Sequence, residues 1–222
     1  AAPDAGRGHD KLDASKADAM GTLNADERPP GLDRAHALEP NYYFGDATFE
    51  LERQRIFAAS WQMVAHRAEL AEAGDHLLVN VAGTPVVLLR AADGVLRAFP
   101  NVCRHRAGPL VLCSGKGLGN LRCKYHGWLY NQEGQLVAAP EMQEAMDFRI
   151  GDIRLPRFQV REWQGLVFVA LADDVPDFGR VYAGIAERIA PVELGAMQFV
   201  RRDSWDVECN WKVYVDNYLE GY

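Results

Sequence analysis

Four residues of the chain are spaced for metal chemistry. Cys103 and His105 stand in Cys103-Arg104-His105, Cys123 and His126 in Cys123-Lys124-Tyr125-His126, with residues 106–122 between the pairs. Each pair offers one thiolate and one imidazole, so the donors divide as two sulfurs and two nitrogens. A [2Fe–2S] centre in which two Cys hold one iron and two His the other asks for that set. Neutral imidazoles remove negative charge and lift the potential above that of an all-thiolate ferredoxin, to roughly −150 to +300 mV. Such a centre passes single electrons. Taken singly, a Cys is more often a small buried hydrophobe and a His a satisfied polar group. In a chain with four Cys and six His, finding all four in this order outweighs that reading. Zinc is the serious rival, because Cys2His2 sets also hold a tetrahedral ion. Common zinc spacings put two Cys in one pair and two His in the other, whereas each pair here mixes the types.

Gly108, Pro109, Gly115, Gly117, Gly119 and Gly127 crowd these loops, and glycine lets backbone amides approach bridging sulfides. CRHRAGPL followed by CKYHGWLY resembles the Rieske segment of ring-hydroxylating oxygenase alpha subunits. It departs at Lys124, where proline is common in that family; the ligand set is intact. High-potential respiratory Rieske proteins tie their two loops with a disulfide. Here Cys113 lies in the intervening segment, but Lys124 stands where its partner is expected, and Cys209 is distant. Both are therefore read as reduced and structural, which favours the lower-potential oxygenase or ferredoxin kind of centre.

A second constellation lies at the other end. Asn210 is suited to cap a helix over Trp211–Tyr222, on which Asp216 and Glu220, four apart, share a face with Asn217 beside them. A solvated acidic edge is the bland explanation. Tyr214, Tyr218, Tyr222 and Trp211 weigh against it, since a fully wet helix rarely carries so many aromatics. NWKVYVDNYLEGY is similar to the opening of the catalytic domain in the same alpha subunits. The resemblance implies a His directly after Tyr222, a second a few residues on and a distant carboxylate, together holding a mononuclear non-haem Fe(II). None of those three ligands is assigned in this chain. It further implies that Glu220 bridges an iron-binding His to a Rieske His of a neighbouring subunit, orienting both, and that Asp216 is a polar group near the iron. The Glu form, DNYLEGY, also resembles oxygenases that demethylate or cleave quaternary amines. The implied partners are a ferredoxin or flavin reductase as electron donor, a small-molecule substrate and O2, in a homotrimer or an alpha/beta hexamer.

Composition bounds the rest. The 222 residues hold one large or two small domains, and 48% hydrophobic content supports a real core. A net charge of −7 argues against nucleic acid. No apolar run approaches the ~18 residues of a membrane span, and no secretory h-region is visible; with few cysteines and an expected metal cluster, a cytoplasmic setting is the default. The start at Ala1 and the stop at Tyr222 in mid-pattern suggest an N-terminal fragment.

The elements expected to position the four donors are short strands. A helix capped by Asp46 or Thr48 runs to Ser60 with Phe49, Ile56 and Phe57 inward. Strands follow at Trp61–His66, His76–Ala82, Pro85–Arg90 and Val95–Phe99, with turns at Ala82-Gly83-Thr84 and Asp93-Gly94. Further strands are expected at Trp128–Tyr130 and Gln135–Ala138, turning at Asn131–Gly134, and at Phe158–Trp163 and Leu166–Leu171, turning at Gln164-Gly165. Val181, Ile185 and Ile189 mark the buried stripe of a helix over Phe178–Ala190, and alternation marks a strand over Gln198–Glu208. The expected fold is mainly β: a Rieske-type antiparallel β-sandwich over 41–172, preceded by a flexible arm (1–40). By resemblance, the truncated start of an α+β helix-grip, START-like catalytic domain follows over 173–222. The functional expectation is the electron-transfer portion of a terminal oxygenase. A stand-alone Rieske-type ferredoxin needs only about one hundred residues and leaves 173–222 without a purpose; a zinc-stabilised binding module is third.

Overall fold

The computed structural model describes residues 37–219. Residues 1–36 of the expected arm, and Glu220, lie outside them. Among the described residues, nine strands form three antiparallel three-stranded sheets. Strands β1 (Gln62–His66), β9 (Leu166–Ala170) and β8 (Gln159–Trp163) make one, in that order. A second is β2 (His76–Val81), β3 (Thr84–Arg90) and β4 (Leu96–Pro100). The third is β5 (Leu121–Arg122), β6 (Leu129–Tyr130) and β7 (Leu136–Ala138).

Two hairpins turn on the same chemistry. Ala82-Gly83 joins Val81 to Thr84, with φ of 50° and 81°. Gln164-Gly165 joins Trp163 to Leu166, with φ of 50° and 80°. Two consecutive positive φ values are the signature of a type I′ turn, whose twist matches the strands it joins.

Strand β3 explains how the layers hold together. Its run Val86-Val87-Leu88-Leu89 is fully buried on both faces, as expected of a continuous apolar strand. Val86 and Leu88 pack with Ala65, Leu70, Val167 and Val169 towards the β1–β9–β8 sheet. Val87 and Leu89 face the other way, onto Leu121, Tyr130, Leu136 and the thiols of Cys103 and Cys123. The loops that carry the Cys/His pairs are thus extensions of the main core.

The C-terminal region is helical: α3 (Phe178–Val181), α4 (Ile185–Ile189) and α5 (Trp211–Leu219). Asn210 caps α5 as expected, its Oδ1 accepting from the Lys212 N–H at 3.1 Å.

Several expectations are corrected. The helix over Phe178–Ala190 is broken at Gly184, which adopts φ of 76°. Its buried residue is Phe178, stacked on Tyr182 at 4.4 Å, while Val181 and Ile185 are exposed. The helix expected from Asp46 or Thr48 to Ser60 is α2 (Asp46–Glu52) continued by a π turn over Arg53–Phe57, and a short helix that was not expected, α1 (Asn41–Phe44), precedes it. Gly45 precedes α2 without a side-chain cap, and Phe49 and Ile56 are exposed. Gln198–Glu208 forms no strand: Trp205 is 80% exposed, and no described strand pairs with it. Alternation supplies a face, but a strand also needs a neighbour for its backbone groups. Cys113 and Cys209, expected to be structural, are both exposed rather than packed.

Candidate metal centre

The two Cys/His segments fold into the same turn twice. Cys103 accepts at its carbonyl from the Ala107 N–H (3.0 Å), and its own N–H donates to Gly108 O (2.8 Å). Twenty residues on, Cys123 O accepts from Gly127 N–H (3.1 Å) and Cys123 N–H donates to Trp128 O (2.9 Å). The fifth residue of each turn is left-handed: Ala107 at φ 54° and Gly127 at φ 73°. These are α-turns closed by a left-handed residue, a conformation that glycine adopts without strain. The β4 strand delivers the first turn and β5 the second, while β6 leads away from it. Asn101, buried beside the first turn, accepts from Leu110 N–H (3.0 Å) and Val111 N–H (2.9 Å) and donates to Val111 O (2.8 Å).

The four donors meet as two pairs. The thiols of Cys103 and Cys123 are neighbours in the core, both 3% exposed. The rings of His105 and His126 stand edge to face with centroids 4.6 Å apart. His105 stacks flat on Trp128 (4.8 Å, 8°), and His126 lies against Tyr125 at 3.8 Å. A Cβ on Gly108 would lie 3.1 Å from Cys123 Sγ, so only glycine leaves that sulfur uncrowded.

Burial pushes the Cys103 thiol up, although a bond with Tyr130 and the His105 backbone N–H oppose the rise. Tyr130, fully buried, has its Oη 3.4 Å from Cys103 Sγ and accepts from Arg104 N–H at 3.1 Å. Burial first, then the Cys103 contact, hold its phenol far above the ordinary range. A metal-bound thiolate has no proton, so Tyr130 is then the donor. His105 is held below its usual value by burial, then by repulsion from His126 and Arg106, which favours the neutral imidazole that ligates metals.

One further observation tests whether a metal group fits. His105 Nδ1 is buried and has no hydrogen-bond partner. Orphaned buried nitrogens are rare and signal an ion or a missing ligand. With two adjacent buried thiols, two adjacent imidazoles and a bare Gly108, the donor set fits a [2Fe–2S] cluster.

The second constellation is elsewhere. Asp216 accepts from Tyr43 Oη at 2.7 Å, and among the described residues it does not reach the Cys/His turns. On the same helix Lys212, 8% exposed, reaches both Glu52 oxygens at 2.6 and 2.7 Å, and Trp211 Nε1 donates to Glu52 Oε2 at 2.9 Å. Sequence reasoning missed Tyr130, Asn101 and the Glu52–Lys212 pair. The WLY triplet after the second turn held a signal for Tyr130; nothing in sequence spacing links residue 52 to residue 212.

Residues 60–159 match the model of the Rieske [2Fe-2S] domain. The carnitine monooxygenase oxygenase subunit of Acinetobacter baumannii is 34% identical over 183 residues, 82% of this chain and 49% of that protein. The biphenyl 2,3-dioxygenase alpha subunit of Rhodococcus jostii is 30% identical over 192 residues, 84% of this chain and 42% of that protein. The crystal structure of the quaternary ammonium Rieske monooxygenase CntA with L-carnitine superimposes with a TM-score of 0.75 at 34% identity, covering 80% of this chain and 51% of that one. This chain is a Rieske-domain protein homologous to the oxygenase alpha subunits of quaternary-amine and aromatic ring-hydroxylating enzymes. It spans about half the length of the curated relatives it matches. No helix of the described residues is long and apolar enough to cross a membrane.

Proposed function

We propose that this chain is the electron-entry portion of a terminal oxygenase. In that reading Cys103 and Cys123 hold one iron of a Rieske [2Fe–2S] cluster, and His105 and His126 hold the other. The observation that carries it is the paired turn: two α-turns of the same design set thiol beside thiol and imidazole beside imidazole, leaving His105 Nδ1 without a partner. When bound, the cluster supplies one-electron oxidation and reduction.

The chain's own groups do the rest. The core around Leu121, Tyr130 and Leu136 excludes water from the sulfurs. Tyr130 Oη and the His105 N–H place positive dipoles at Cys103 Sγ, which favours the more negative, reduced state. Trp128 fixes the plane of His105, and Asn101 holds the end of the first turn.

The electrons would go to a mononuclear non-haem iron(II) held by residues that this chain does not include; that iron would supply the O2 chemistry for hydroxylating or demethylating a small substrate. The similarity to carnitine and CntA proteins favours a quaternary amine over an aromatic ring. Glu220 is assigned as the link between the iron site and a cluster His of a neighbouring subunit, and Asp216 as a polar neighbour of the iron. The electron donor is a ferredoxin or flavin reductase, the assembly a homotrimer or alpha/beta hexamer, and the setting cytoplasmic. The architecture is an arm (1–40), a β-sandwich Rieske domain (41–172) and, from 173, the start of a helix-grip catalytic domain.

The test is oxygen uptake by the whole protein with a reductase, NADH and either carnitine or biphenyl. Substrate-dependent uptake with trimethylamine release from carnitine supports the quaternary-amine reading. A protein that accepts electrons yet consumes no O2 with either substrate class would instead be a ferredoxin-type carrier.

A further inference from the structure

The two Cys/His turns alternate donor with cation: Cys103-Arg104-His105-Arg106 in the first, Arg122-Cys123-Lys124 in the second. From Gly94 to Gln132 there is no Asp or Glu, in a chain of net charge −7. Arg97 and Lys116, the other cations of that stretch, are engaged by Asp93 and Asp75. Arg104, Arg106, Arg122 and Lys124 are exposed and make no ion pair among the described residues. Each is the immediate chain neighbour of one of the four donors. Their field is felt there: repulsion from Arg106 disfavours positive charge on the His105 ring.

Two effects oppose each other at the cluster. On one side the core around Leu121, Tyr130 and Leu136 penalises added negative charge, as burial does for any anion. On the other, fixed cations favour it. Reduction adds one negative charge, so local net charge is one of the levers that sets a cluster's potential. Four like charges crowded on two turns repel one another, and a chain with surplus carboxylates could have paired them; the fold leaves them bare. We propose that Arg104, Arg106, Arg122 and Lys124 form a positive field that raises the potential of the cluster, and that ionic strength sets the size of that rise because all four cations face solvent. The proposal rests on the [2Fe–2S] reading of the site. It is a property of the chain by itself and needs no partner protein. One electron passes from a reduced mediator dye to the oxidised cluster; the dye ends oxidised, the cluster reduced, and no bond forms or breaks.

The experiment is a spectroelectrochemical titration of the cluster-loaded chain at one fixed pH. Removing one cation, in Lys124→Gln or Arg106→Gln, should lower the reduced-to-oxidised ratio at a given potential about threefold, or about 28 mV from 59 mV per tenfold for one electron. Reversing one, in Lys124→Glu, should lower it about tenfold, or about 59 mV. The double Gln variant should sum its two shifts, as separate exposed sites do. The wild-type potential should fall as salt rises from about 20 to about 500 mM, where the Debye length shrinks from roughly 20 to 4 Å, and the variants should converge on it. Arg188→Gln, exposed on α4, should match wild type at both salts. A potential unmoved in both single variants, an equal shift in Arg188→Gln, or a Lys124→Glu shift no larger than that of Lys124→Gln overturns the proposal. Should the variants fail to load, the salt dependence of the wild-type potential decides, and a flat one overturns it. A chain that takes up no cluster overturns the site reading and this proposal with it. A loaded cluster indifferent to charge and salt overturns the proposal alone.

Discussion

The Glu52–Lys212 pair gives a prediction independent of any metal. Both side chains are 10% exposed, and Lys212 Nζ reaches the two Glu52 oxygens at 2.6 and 2.7 Å. Lys212→Met deletes the cation and leaves the carboxylate buried, a change that typically costs about 3–5 kcal/mol. Trp211 Nε1 still donates to Oε2 at 2.9 Å, so the lower end, about 3 kcal/mol, is expected. Glu52→Gln in the same background removes the stranded charge and keeps an acceptor for the indole. The double variant should therefore lose only about 1 kcal/mol, the scale of one neutral hydrogen bond. Urea unfolding followed by Trp emission reads this, since Trp211 stands edge to face with Phe57 at 5.2 Å and reports the α2–α5 contact. With a slope near 2 kcal/mol/M, the single variant shifts the midpoint down by about 1.5 M and the double by about 0.5 M. A single variant within about 1 kcal/mol of wild type, or a double as damaged as the single, would refute the buried-charge reasoning.

Three other perturbations test the site and its supports. Tyr130→Phe removes the Oη at 3.4 Å from Cys103 Sγ; losing about 1 kcal/mol of preference for the reduced state lowers the potential by about 40 mV, from 59 mV per tenfold for one electron. A spectroelectrochemical titration that finds no shift denies that bond. Gly108→Ala places a methyl 3.1 Å from Cys123 Sγ and 3.2 Å from Tyr125 Cβ, an overpacking of about 1–3 kcal/mol, and should lower the iron and sulfide content of purified protein; wild-type loading would count against the close approach. Burial pushes the Asp75 carboxyl up, but the Glu72 N–H and Lys116 outweigh it and hold the group below the ordinary carboxylate range. Its folded value is depressed, so its stabilisation is present above about pH 4 and lost as pH falls through the folded value. Asp75→Asn should be less stable than wild type at pH 7, with the gap closing below about pH 4; a gap that widens in acid reverses the sign of the argument.

Hairpins were legible in the sequence because their turn chemistry is local: Gly83 and Gly165 each accept without strain the positive φ that the turn requires. The Cys/His spacing marked the site for the same reason, since each turn closes within six residues. What the sequence hid depends on contacts made at long range. Phe49 and Ile56 looked like a buried face, yet the buried residue of α2 is Glu52, whose partner lies 160 positions away. Alternation over Gln198–Glu208 carried no information about whether a neighbouring strand exists. Gly184 lay in plain view inside a helical stripe, and its left-handed conformation broke the helix.

In the proposed function Cys103, Cys123, His105 and His126 hold a Rieske cluster. Electron paramagnetic resonance of the dithionite-reduced chain, with iron and acid-labile sulfide measured on the same sample, tests it most directly. The expected result is a brown protein with two irons and two sulfides per chain and a rhombic signal, lost when Cys103 or Cys123 is replaced by Ser. A colourless protein carrying one zinc, or a cluster signal unchanged in His105→Cys, would contradict it.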